Sequence, residues 1–188
     1  MGCWASFLSP TYGWHKGTIW HWNRLFIGFD DNELPHLRVE QRVMPAGPSI
    51  IDMIANAAFY YGAVRMLARQ DLPPESQLPF PIAQDNFYRA ARDGFNAQLR
   101  WLNGQHMPAC ELLEQVLLPL ARAGLEQLDL AAADIQRYLE VIAGRLRSRR
   151  NGAVWQLAHY RKHHDFFRLT ADYLDHQRHL MPVHEWPI

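Results

Sequence analysis

Cysteine is scarce in this chain of 188 residues: Cys3 and Cys110 are the only two. Two thiols so far apart exclude a disulfide framework and a cysteine-rich zinc site, and they point to a reducing, cytoplasmic setting. Net charge is also missing, because 19 basic side chains meet 19 acidic ones. A protein whose main task is to hold nucleic acid needs a basic surface that displaces counterions, so that class is excluded. No apolar run approaches the roughly 18 to 20 residues that cross a bilayer, and no charged start followed by an apolar core marks a secretory leader. Neither a nucleic-acid partner nor a membrane is therefore expected. The opening Met-Gly-Cys-Trp-Ala-Ser fits the short pattern for acylation at Gly2, with Cys3 available for a second lipid, but so short a pattern arises readily by chance. What is present is 48% hydrophobic and 12% aromatic residues, enough for one compact domain over 1–188 or for part of a larger one.

The charges that cancel in total are unevenly placed. Residues 145–168 carry seven lysines and arginines against the single acid Asp165, whereas residues 107–141 carry six acids against two arginines. The later segment attracts anions. Lys16 and Lys162 are the only lysines among 19 basic residues, and an arginine-rich set suits bidentate recognition of carboxylate or phosphate, or else reflects a GC-rich genome. Ten histidines leave room for a charge change on mild acidification.

Hydropathy patterning predicts an α+β chain that is mostly helical. Strands are expected within 13–45, the only extended part: 17–23 alternates Ile19 and His21 with Trp20 and Trp22, and 37–43 alternates Leu37, Val39 and Val43 with Arg38, Glu40 and Arg42. The turn-forming run Asp30-Asp31-Asn32-Glu33 makes them an antiparallel pair. Two strands alone are marginally stable, so further strands are expected outside this chain. Five or six packed helices are predicted within 48–180. The first, 49–68, opens with Ser49 as N-cap and Asp52 three residues on, a capping box with Asp in place of Glu. Others are expected at 83–102, from Pro108 to about Gly124, at 131–146, at 153–163 and at 165–180.

Arg38-Val-Glu40-Gln-Arg42 is the segment richest in chemistry. Alternation sets the three charged side chains on one strand face, roughly 6 to 7 Å apart at each step. Such a face either binds a metal ion or amine through the carboxylate and an anion through the guanidinium groups, or is a solvated face whose alternating charges stabilise one another.

The runs His15 to Arg24, Leu37 to Pro48 and Asp52 to Gly62, followed by Arg150-Asn-Gly-Ala-Val-Trp-Gln156 and Pro182-Val-His-Glu-Trp186, resemble the later part of the glutamate–cysteine ligase family 2 (carboxylate–amine ligase) proteins. The resemblance covers nearly the whole chain from about Gly13. It implies a glutamine-synthetase-like fold, with an antiparallel half-barrel sheet and helices packed around it. It also implies an ATP- and Mg²⁺-dependent reaction in which a substrate carboxylate, that of glutamate or a relative, becomes an acyl phosphate and is captured by an amine such as cysteine. Glu40 matches the Glu of the family's Glu-x-Arg strand motif and is implied as a metal ligand. Arg42 matches its Arg and, with Arg38, is implied at the catalytic face. Family members are longer, and Lys16 stands where the family has Asn. The chain is thus expected to be a C-terminal portion that works with a missing N-terminal half or as a homo-oligomer.

Arg150 and Asn151, at a helix start, are candidates for binding phosphate or substrate carboxylate, and equally make a plain turn ahead of a helix. His15 and Asn56 are further candidates for substrate contact, each with a structural alternative. His159 and His163 share a helix face but lack an acidic base between them. The seven tryptophans are expected in the core. A different class of reading remains open, a non-catalytic helical interaction domain that needs a partner to cover its sheet edge.

Overall fold

The computed structural model describes residues 22–44 and 46–188, which form a mostly helical protein (63%) with two small antiparallel strand pairs. The chain divides into two compact units, Met1–Ala46 and Gly47–Ile188.

The described part of the first unit is a hairpin of β1 (Asn23–Phe29) and β2 (Pro35–Gln41). Asp30 folds the turn by accepting the backbone N–H groups of Asn32 and Leu34, each at 2.9 Å, while Glu33 takes the left-handed conformation at φ 60°. The register sets Leu25 opposite Val39 and Ile27 opposite Leu37 on one face, and Arg24 opposite Glu40 and Phe26 opposite Arg38 on the other. One face is thus apolar and the other basic. The apolar face is open, with Leu37 53% and Val39 58% exposed.

These bounds correct the expected ones. The turn falls where the sequence put it, and the described strand that enters it is Asn23–Phe29, which was not expected; of the expected 17–23 only its end is described. The run Leu25-Phe-Ile-Gly-Phe29 hid a strand because Phe26 and Gly28 lie on the second face, which erases the polar half of the alternation. Residues 17–21 lie outside the described residues. β2 also ends before Arg42, whose backbone N–H still donates to the Trp22 carbonyl at 2.8 Å.

The second unit begins at α1 (Ile50–Leu67). Its predicted capping box is present: the Asp52 N–H donates to Ser49 Oγ, and the Ser49 N–H donates to the Asp52 carboxylate. A single turn, α2 (Pro74–Gln77), precedes α3 (Phe80–Asp93), and Gly94 at φ 55° ends α3. The expected helix over 83–102 therefore stops early. Leu99, placed on its apolar stripe, belongs instead to β3 (Gln98–Arg100), which pairs with β4 (His106–Pro108), so residues 17–45 are not the only extended segment. Asn86 secures this second hairpin to α3: its side chain donates to the Arg100 carbonyl and accepts the Arg100 N–H.

Next come α4 (Ala109–Glu111), a π-helical stretch over Leu112–Leu117, and α5 (Leu118–Glu126). The Leu118 N–H donates to the carbonyl of Leu113, five residues back, immediately before Pro119. A proline inside a helix has no N–H and crowds the carbonyl of the preceding turn, and the wider π turn makes the room. The remaining helices are α6 (Ala132–Ser148), α7 (Gly152–His163) and α8 (Phe166–Arg178), close to the expected bounds. Among the described residues no helix is long and apolar enough to cross a membrane.

Three packing centres hold this unit, one of them Ala55, Cys110, Val141, Ile142 and Leu146. In the second, Ala63, Ala121, Leu125, Ile135 and Leu139 bury between α1, α5 and α6. There Gly124, near the end of its helix as expected, meets Gly62 where α1 and α5 cross. A Cβ at Gly62 would stand 2.1 Å from the Ala121 carbonyl oxygen, and one at Gly124 would stand 2.0 Å from that of Gly62. In the third centre Trp155, Val183 and Trp186 are fully buried against Leu169 and Tyr173. Their indole N–H groups donate to the carbonyls of Pro187 and Met181, each at 2.8 Å, so two of the tryptophans take the expected core role.

Gly124→Ala should force α1 and α5 apart and lower the unfolding free energy by about 1 to 3 kcal/mol or more. A urea melt with an unchanged midpoint would refute this crossing.

Candidate functional site

The charged hairpin face gathers Arg24, Arg38, Glu40 and Arg42. Glu40 Oε2 accepts a hydrogen bond from Arg42 Nη2 at 2.8 Å, with the two side chains 44% and 22% exposed. That bond, aided by the charges of Arg42 and Arg24 and only partly opposed by desolvation, holds the Glu40 carboxyl below its ordinary range. Arg38 does not join them. Its Nε donates to His36 Nε2 at 2.6 Å, which puts the ring proton of His36 on Nδ1. Both side chains lie over Gly28, where a Cβ would come within 2.8 Å of each.

The even spacing of three charges along one strand thus resolves into two local pairs, and the missing member is Arg24. No motif marked Arg24. That turn alone, counted outward from Asp30 and Glu33, would set residue 24 across from residue 39; the observed register, which closes on Asp30 and Leu34, sets it across from Glu40. The face carries three guanidinium groups around one carboxylate and so has an excess of positive charge for a substrate carboxylate or phosphate.

In the helical unit the polar centre is Asp52, whose side chain is fully buried. Arg145, from α6, places Nε 3.1 Å from Asp52 Oδ1, adds Nη2 to the same oxygen, and donates from Nη2 to the Asp52 carbonyl at 3.0 Å. The second oxygen, Oδ2, accepts from Ser49 Oγ at 2.8 Å and from the Val183 N–H at 3.1 Å. Arg145 Nη1 also donates to Asn56 Oδ1 at 2.6 Å, so that candidate's acceptor serves the same network. Sequence reasoning read Asp52 only as a cap. Its buried partner stands 93 positions later, and nothing in local spacing joins the two.

Of the other candidates, Arg150 Nη1 donates to the Trp186 carbonyl at 2.6 Å, and Asn151 caps α7 by accepting the Val154 N–H at 3.0 Å. Arg150 is thus brought beside the C-terminal segment, while His15 lies outside the described residues. His159 and His163 pack ring to ring at 4.6 Å, and buried His159 Nε2 is 2.9 Å from Asp172 Oδ2, a bond that leads in holding the Asp172 carboxyl below its ordinary range. Desolvation, then the charges of Arg168, His159 and Lys162, push His163 down, and burial likewise lowers His184, whose ring rests on Gly144. Among the described residues no group of three or more His, Cys, Asp or Glu is arranged to hold a metal ion.

Comparison with family profiles, with curated proteins and with solved structures finds no match to this chain. The class that the fold and site define is therefore stated from its own residues: a mostly helical α+β protein with a basic, solvent-facing strand pair.

Two outcomes follow. Asp52→Ala leaves the Arg145 guanidinium buried without its counter-ion and should cost about 3 to 5 kcal/mol, read from a denaturant melt. His163 and His184 have folded values below the ordinary 6.5, so the unfolded chain binds their protons more readily. Their contribution is complete above that value and is lost as pH falls below it. The thermal midpoint should drop between pH 7 and pH 5, and less so in His163→Gln; a flat profile would contradict the assignment.

Proposed function

We propose that this chain contributes to an ATP-dependent carboxylate–amine ligase of the glutamate–cysteine ligase type, with the basic hairpin face binding the anionic substrate group. The observation that carries the reading is Glu40 held ionised by Arg42 at 2.8 Å with Arg24 across the strand pair. Amide formation from a carboxylate needs a leaving group. A substrate carboxylate oxygen attacks the terminal phosphorus of ATP and displaces ADP, and the amine then attacks the acyl carbon and expels phosphate. Negative charge builds on the transferred phosphoryl oxygens in the first step and on the acyl oxygen in the second. Guanidinium groups fixed by a strand offset it without reorganising.

In this reading Arg42 and Arg24 orient the carboxylate or phosphate, and Glu40 keeps Arg42 in place. Arg38, turned toward His36, sits at the edge of the face. Arg150, Asn151 and Asn56 keep at most a positioning role, since their hydrogen bonds serve the chain itself.

Mg²⁺ binds through one or two carboxylates plus phosphate oxygens. Glu40 is the single acid on the hairpin face, and one of its oxygens already belongs to Arg42. The described residues therefore do not make a Mg²⁺ site by themselves, and no step is routed through the metal. The half-barrel sheet of the glutamine-synthetase type remains part of the proposal. The open apolar face of Leu25, Ile27, Leu37 and Val39 supports it, because a two-stranded pair needs a further layer or strand to be stable. A cytoplasmic setting agrees with Cys110 as a buried free thiol.

The same open apolar face also favours a second reading, a non-catalytic interaction domain whose partner covers it. Glutamate-dependent release of ADP from ATP, with cysteine and other amines as acceptors, separates the two. Under the ligase reading Glu40→Gln removes the carboxylate that orients Arg42 and lowers turnover by roughly 100-fold or more while the circular dichroism spectrum stays unchanged. Full turnover by that variant sinks the site assignment, and absence of both ADP release and nucleotide binding by the unaltered chain leaves the interaction domain.

A further inference from the structure

A second basic site lies between α7 and α8, on residues the ligase reading does not use. A polar cavity of about 310 Å³ is lined by His159, Lys162 and His163 from α7, by Arg168, Asp172, Asp175 and His176 from α8, and by Pro187 and Ile188. Its two carboxylates are already engaged. Asp172 Oδ2 lies 2.9 Å from His159 Nε2 and 3.5 Å from Arg168 Nε, and Asp175 Oδ2 lies 3.6 Å from His179 Nδ1.

The donors, by contrast, have capacity to spare. Among the described residues Lys162 Nζ donates one bond, to a main-chain carboxylate oxygen of Ile188, which leaves two of its three N–H groups. Arg168 meets Asp172 through Nε, and its side chain is 56% exposed. Buried His159 has no partner for Nδ1 among the described residues. A metal ion does not explain the cluster, since its donors are not arranged to hold one.

We infer that this cavity binds a tetrahedral dianion, the phosphoryl group of a ligand, with Arg168 as a fork, Lys162 as a point charge and His163 as the titrating donor. Desolvation lowers the His163 proton affinity first and the neighbouring cations Arg168, His159 and Lys162 add to it; a bound dianion offsets that second part, so binding favours a proton on His163 and tightens as pH falls through its titration. The Asp172 carboxyl, held below its ordinary range by His159 and Arg168, acts against the ligand, which is why it must be engaged by them for the site to work.

Sulfate is the first probe, because it remains a dianion throughout and any pH dependence then belongs to the protein. Titration of the intact 188-residue chain, followed through the imidazole NMR signals, should raise the His163 titration midpoint, whereas chloride at equal ionic strength should not. Lys162→Gln and Arg168→Gln should each weaken sulfate binding roughly tenfold. Arg161→Gln, on the same helix but outside the lining, should leave it unchanged. An equal response to chloride, or full affinity in the double variant, overturns the proposal.

The source of the phosphoryl group is settled by two further arms, inorganic phosphate in solution and phosphatidylcholine vesicles carrying phosphatidate. Binding in solution identifies a soluble phosphate ester. Binding to the vesicles alone identifies a lipid headgroup, engaged with Phe166 and Phe167, which open α8 at 67% and 86% exposure. Binding to neither contradicts the inference.

Discussion

A single buried carboxylate organises the helical unit. Asp52 closes the capping box of α1, receives two guanidinium nitrogens from Arg145 of α6, and accepts the backbone N–H of Val183 from the C-terminal segment. Its side chain is fully buried and that of Arg145 is 11% exposed, so neither has solvent to fall back on. Desolvating such a pair consumes much of its Coulombic gain, and its value lies in what it forbids: alternative packings of α1, α6 and the C-terminal segment leave a charge unpaired. The close crossing of Gly62 and Gly124 and the stacking of His184 on Gly144 both need that placement to hold.

The hairpin follows another logic. With one apolar face open and the other basic, β1 and β2 have little of their own to stabilise them beyond the Asp30 turn and cross-strand pairs. What makes the pair informative is the segregation itself. Leu25, Ile27, Phe29, Leu37 and Val39 on one face and three arginines with one glutamate on the other form a surface built for two different neighbours, a hydrophobic layer and an anion. Within the helical unit the basic surplus of residues 145–168 is divided. Arg145 and Arg150 are spent on structure, while Lys162 and Arg168 retain donors beside the α7–α8 cavity.

Local rules carried much of the fold. Ser49 with Asp52, the break at Asn151-Gly152 and the apolar stripe of α6 were readable because caps and helical periodicity lie within a few residues of one another. Leu99 misled because one apolar residue at the right spacing fits a helix as well as a strand, and Gly94, whose left-handed backbone ends α3, is not distinguished in sequence from a tolerated helical glycine. In the site, Glu40 and Arg42 were visible as neighbours on a strand. Arg24 needed the register, and the Asp52–Arg145 pair needed the tertiary fold, which no spacing rule encodes.

The central claim is that the basic hairpin face receives an anionic substrate. The most direct measurement follows the arginine Nε–Hε signals of the intact chain by NMR while glutamate, then ATP, is added. The account predicts saturable shifts of Arg24 and Arg42 with little change at Arg92, which is paired with its neighbour Asp93. Unmoved Arg24 and Arg42 signals at saturating glutamate and ATP would contradict it.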